Sequence, residues 1–156
     1  MSGGLSLAPL DPPQLLAVLR ACTLPWIFEP GRHPKLDADD VLQANEAFYS
    51  AFNQKDAAAM DALWARSVMV GCVHPGWNVL LGREPVIESW ERILGNPTQL
   101  KIFSGGANVS VIGEVAIVAC SEMVGGSPLA ATNVFVREDG SWKLAHHHSG
   151  PVSLGG

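Results

Sequence analysis

The order of patterns along the chain predicts an α+β domain, with helices first and a run of antiparallel strands after them. Two observations carry this. Between about residues 36 and 94 apolar side chains recur mainly at helical spacing, and beyond residue 99 they alternate in strands separated by short breaks rich in Gly and Asp. A third observation sets the scale: 156 residues at 47% hydrophobic content and a mean hydropathy of +0.18 suffice for one sizeable core.

The first 35 residues are rich in proline and lack sustained periodicity, so they read as an arm, with 36–152 as the main domain and 153–156 as a short tail. Within the arm, Asp11 and Pro12 can open a short helix that runs to Arg20. Trp26, Ile27 and Phe28 form an apolar cluster suited to covering a surface.

From Leu36 the pattern becomes regular. Asp37 caps a helix with acidic residues in its first turn, and Val41, Asn45, Phe48 and Phe52 fall on one face of it to about Asn53. Asp56 opens a second short helix in which Met60, Leu63 and Trp64 pack together. Ser67 to Val73 is expected as a strand, His74-Pro75-Gly76 as a turn, and Trp77 to Leu81 as a short returning strand. Glu84 to Leu94 forms a third helix with Val86, Trp90, Ile93 and Leu94 on its buried side. Four strands follow at about 99–112, 115–124, 129–137 and 142–148. Gly105-Gly106 inside the first of these predicts a bulge that bends the sheet.

The formal charge of −5, with ten scattered Lys and Arg, supplies no basic stripe for a phosphate backbone, and nucleic-acid binding is not expected. The first ten residues carry no secretory signal, and no apolar run approaches the roughly 18 residues of a membrane span. The expected setting is the cytoplasm, without membrane contact. Cys22, Cys72 and Cys120 are far apart and lack CxxC spacing, which suits reduced thiols.

Three consecutive histidines, His146 to His148, are the clearest chemical lead. Strict strand alternation puts His146 and His148 on one face with Trp142 and Leu144, and turns His147 away. Imidazoles on an apolar face suggest polar anchors in a pocket. Arg83 is expected to pair with Glu84 or Glu88, and Glu122 to face solvent, as strand glutamates usually do.

The strings Ala44-Asn45-Glu46-Ala47-Phe48-Tyr49, Val73-His74-Pro75-Gly76-Trp77, Leu81-Gly82-Arg83-Glu84-Pro85-Val86 and Thr132-Asn133-Val134-Phe135-Val136-Arg137, with the element order, resemble the SnoaL-like branch of the nuclear transport factor 2-like superfamily. The resemblance covers about 36–152. It implies a cone-shaped, cystatin-like fold in which a curved sheet wraps around the N-terminal helices, a mostly apolar pocket between them, and a homodimer formed through the sheet. Pocket walls would be Phe48, Phe52, Trp64, Trp77 and Trp90, with Thr132 and His146 as further ligand contacts.

Three function classes follow from this reading. In the first, the domain holds a small apolar molecule in a cavity anchored by histidines, with no cofactor and no metal assigned. In the second it is an isomerase or cyclase-type enzyme. The resemblance then places His74-Pro75 where steroid isomerase-type members carry a catalytic carboxylate and Thr132 where they carry an acidic donor. His74 or His148 would move a proton next to a carbonyl, with Asn133 as hydrogen-bond donor. The third is a dimeric partner-binding module. A zinc centre built from His74, His146 and His148 requires those three rings to converge.

Overall fold

Helix α1 spans Pro34–Gln54, starting two residues before Leu36 with proline at the position where its missing N–H costs nothing. The computed structural model describes residues 34–98 and 100–152, all within one compact unit, so the short helix and the Trp26-Ile27-Phe28 cluster expected in the arm lie outside the described residues. Val41, Asn45, Phe48 and Phe52 are all buried, as their spacing requires. Asp37 lies inside the first turn, where it is ion-paired with Arg137 on the sheet.

Lys55 ends α1 in the left-handed region at φ 58°, with its own N–H donating to Phe52 O at 3.1 Å and that of Asp56 to Ala51 O at 3.0 Å. Asp56 at once caps α2, Ala57–Leu63, by accepting from Ala59 N at 2.9 Å. The two helices therefore meet at a two-residue corner. After α2 the chain forms β1 (Gly71–Val73), β2 (Leu80–Leu81), α3 (Arg83–Leu94), β3 (Ile102–Ile112), β4 (Val115–Val124), β5 (Ser127–Glu138) and β6 (Ser141–Pro151).

The first two strands are shorter than their composition predicts. Glu138 accepts from the N–H groups of Arg66 and Ser67 and from the Ser67 hydroxyl, which holds this stretch as a bend and leaves Met69 exposed. Residues 77–79 carry no ladder, because β1 offers β2 only the pairs Gly71–Leu81 and Cys72–Leu80. Arg83 pairs with Asp61 at 2.6 Å, and also donates to the Asp61 carbonyl, instead of pairing with its helix neighbours. It thereby fastens α3 to the end of α2.

The six strands form one sheet in the order β2-β1-β6-β5-β4-β3, antiparallel except for the β1–β6 pair. Gly105-Gly106 makes the expected irregularity, with a register shift between Gly105 and Asn108 and Gly106 at φ 64°. A second shift was not foreseen. Val134 pairs with His146 and Phe135 with Leu144, which leaves Ala145 as an extra residue in β6. Helices α1 and α3 cover the inner face of the sheet over a core that includes Phe48, Met60, Trp64, Val118, Phe135 and Leu144.

Candidate functional site

The Ala145 bulge determines what the inner face contains. Before it, Trp142 and Leu144 point inward, and after it the parity changes, so His147 and Ser149 are buried while His148 is exposed and His146 is half-buried. The expectation that His146 and His148 share the inner face is corrected by this one inserted residue. On β4 the run Ala116, Val118, Cys120, Glu122 stays in phase, so Glu122 also points inward and is only 3% exposed, contrary to its expected surface position.

Around these residues lies a buried polar cluster built from α1, β4, β5 and β6. Tyr49 donates its hydroxyl to Glu122 Oε1 at 2.7 Å, and Ser149 donates to Oε2 at 2.5 Å. Asn133 Nδ2 donates to Asn45 Oδ1 at 2.7 Å and reaches the Tyr49 oxygen at 3.4 Å. Its Oδ1 is then the acceptor for His147 Nδ1–H at 2.7 Å, which leaves Nε2 as the acceptor nitrogen of that ring. Donation thus runs one way, from His147 through Asn133 and Tyr49 to the Glu122 carboxylate.

The electrostatics follow from burial. Desolvation, reinforced by the adjacent Glu122 charge, pushes the Tyr49 phenol far above its ordinary value and keeps it a donor. Burial lowers His147 to about 3, with the nearby His74, His146 and His148 acting in the same direction. Cys120, whose Sγ is 3.2 Å from the Tyr49 hydroxyl, is raised chiefly by burial and stays a thiol.

An aromatic wall adjoins the cluster. Trp90 lies edge-on to Phe48 at 5.3 Å, to Phe52 at 6.1 Å and to His74 at 4.5 Å, and is tilted against His147 at 5.7 Å. Its indole Nε1 is buried with no hydrogen-bond partner among the described residues. His74, at the end of β1, contacts Ser89 on α3 through Nε2 at 2.9 Å. Ser89 gives its own proton to Val86 O at 2.7 Å, so His74 Nε2 is the donor in that contact. Burial, followed by the Arg92 charge, holds His74 at about 4. Cys72 lies 3.7 Å from the same ring and is pushed up to about 12 by burial, which leaves it protonated and unsuited to nucleophilic attack at neutral pH.

The structure therefore brings together Asn133, Phe48, Phe52, Trp90 and His74 from the expected set. Trp64 is fully buried and forms an isolated bridge with Leu144. Trp77 is 40% exposed, with its ring 4.9 Å from His74 and the Arg92 guanidinium 4.8 Å over it. Thr132, His146 and His148 lie on the opposite, outer face, so His148 cannot share a ligand with His74 inside the cone, and His74 cannot join the other two around one zinc. Sequence reasoning missed Glu122, Tyr49, His147, Ser149 and Asn45 as a group. The in-phase position of Glu122 with Val118 and Cys120 was the available signal. A separate open groove of about 380 Å³, lined by Asp61, Arg83, Glu84, Ile87, Glu88 and Glu91, lies on the far side of α3 and shares no residue with this cluster.

A curved, open sheet packed on helices, with buried polar groups on its inner face, is the architecture of a nuclear transport factor 2-like domain, and comparison with known proteins agrees. The model of the SnoaL-like domain matches residues 41–153, and the chain belongs to that family. A proposed dehydratase of the NTF2-like family from Streptomyces avermitilis is 35% identical, with a TM-score of 0.73 over 79% of this chain and 100% of that one. A proposed calcium/calmodulin-dependent protein kinase type II association domain from Thiobacillus denitrificans is 28% identical, with a TM-score of 0.64 over 70% of this chain and 93% of its own. The F-box protein SKIP8 of Arabidopsis thaliana is 27% identical over 111 residues, which are 70% of this chain and 48% of that protein. The match thus spans about half the length of that relative.

Proposed function

We propose that the domain binds a small, mainly apolar molecule between α1, α3 and the inner face of the sheet, with its polar group directed at the Asn133–His147–Trp90 region. The directed hydrogen-bond chain that ends on Glu122 carries this reading. Six polar side chains in the core carry a desolvation cost that apolar residues of similar volume would avoid, and such networks are well suited to fixing the orientation of a ligand. The buried Trp90 donor fits a carbonyl or hydroxyl oxygen. Phe48, Phe52 and Trp90 supply the apolar walls, with Trp77 at their exposed end. Native and denaturing mass spectrometry of gently purified protein should reveal a retained organic molecule. In labelled protein, a panel of aryl and alkyl ketones should shift the Trp90 indole signal, and no shift at any inner-face residue would refute the reading.

A second reading, proton transfer, is favoured by one specific feature, the Glu122–Tyr49 pair. A carboxylate and a phenol in apolar surroundings combine a proton acceptor with a donor, as removal of a proton next to a carbonyl or loss of water requires. The Streptomyces neighbour proposed as a dehydratase supports the same chemistry. His74 and His147, held near 4 and 3, act at neutral pH as uncharged hydrogen-bonding groups rather than ready bases, so the carboxylate takes that role. Turnover abolished by both Glu122→Gln and Tyr49→Phe would support it.

The outer face fits a homodimer. Phe103, Ile112, Ile117 and Met123 are exposed on adjacent β3 and β4, an apolar surface that a second copy would cover. Cys72 and Cys120 are free and buried, which suits a reducing cytoplasm, and no helix among the described residues is long and apolar enough to cross a membrane.

A further inference from the structure

The same bulge that sends His147 inward leaves His146 and His148 side by side on the outer face, ring centres 6.4 Å apart and planes at 89°. We propose that these two imidazoles form a binding site for a borderline transition-metal ion of the Ni²⁺, Cu²⁺ or Zn²⁺ type, independent of the ligand reading above. Residues i and i+2 of a strand project in parallel, so both rings reach one point without backbone movement. Two imidazoles sharing a metal at about 2.0–2.1 Å per bond put their centres about 4.5–5.5 Å apart, which side-chain rotations that bring the rings about 1–2 Å closer achieve from 6.4 Å.

The neighbouring strand makes room for this arrangement. Gly71 on β1 pairs with His146, and a Cβ at Gly71 would lie 2.9 Å from His146 Nδ1. The Gly71 backbone lies outside the left-handed region, so its conformation does not require glycine, and glycine weakens a strand interior. The space it leaves is taken by the His146 ring. The other side chains opposite the pair are Val134 and Thr132 on β5 and Val73 on β1, none of them charged. Among the described residues no ion pair engages either imidazole, and Thr132, the register partner of His148, is exposed on the same face. With two protein ligands the remaining coordination positions belong to water or an external molecule. Imidazole donors select these metals over Mg²⁺ and Ca²⁺, which prefer oxygen.

The test is calorimetric titration of Ni²⁺ into the untagged, chelator-treated full chain, with amide spectra of labelled protein recorded in parallel. One Ni²⁺ per chain is expected, and paramagnetic broadening should appear first at Gly71, Val73, Thr132, Val134 and 146–148. His146→Gln and His148→Gln should each abolish the site. Gly71→Ala, which displaces the His146 ring while leaving the fold intact, should weaken binding about tenfold, as loss of ligand positioning does elsewhere. Unchanged binding in the double histidine variant, broadening centred elsewhere, or no binding at all by the folded wild-type chain would overturn the proposal.

Discussion

Asn133 is the branch point of the buried cluster, since its amide gives to Asn45 and Tyr49 and takes from His147. Asn133→Leu leaves several buried partners unsatisfied and should cost about 2–4 kcal/mol in urea unfolding. A change that leaves stability untouched would mean that water replaces the amide. His74 gives a pH dependence whose sign is fixed by its lowered value. The folded chain keeps it neutral down to about 4, whereas the unfolded chain protonates it near 6.5, so the unfolded state binds more protons between those limits. Its stabilising contribution is complete above about pH 6.5 and declines as pH falls towards 4, with a slope of up to about 1.4 kcal/mol per pH unit. Denaturation midpoints at pH 7, 6 and 5 should fall in that order, and less steeply in His74→Asn.

At the scale of elements, much of the fold is written locally. The α1 face was legible because Val41, Asn45, Phe48 and Phe52 recur at helical spacing, and the β5–β6 turn because Asp139-Gly140 tolerates φ 51° and 76°. The Ala145 bulge was not legible. Trp142 to His148 contains no glycine or proline to mark it, and its existence depends on the pairing of β6 with β5 and β1. One unseen residue was enough to exchange the faces of three histidines. The partners of Glu122 were hidden for a related reason, since Tyr49 and Ser149 lie 73 and 27 residues away in sequence. Deleting Ala145 provides a direct test. The alternation then runs unbroken with Leu144, His147 and Ser149 still inward, so the variant should fold with stability within about 1–2 kcal/mol of wild type by thermal melts. A collapse of the fold would show that the bulge itself is required.

At the scale of the whole molecule, the outer apolar surface predicts self-association. Ile117→Lys places a charge in the middle of it and should shift the particle mass in sedimentation from two chains to one without altering the circular dichroism spectrum, whereas a wild-type chain that sediments as a monomer would remove the homodimer. A different consequence comes from the position of β6. It pairs with β5 on one side and β1 on the other, its Leu144 carbonyl accepts from Ala65 N at 2.9 Å, and its Lys143 ammonium donates to Ala62 O at 2.8 Å. The strand nearest the C-terminus among those described is therefore the one that joins β1 and the end of α2 to the rest of the sheet. During synthesis, α2 and β1 leave the ribosome long before the strand they pair with, whereas α1 meets β3 earlier, so the β1 edge of the sheet cannot be completed until β6 has emerged. Until then the apolar side of α2 and β1 stays uncovered in the nascent chain, and surface of that kind is prone to aggregation.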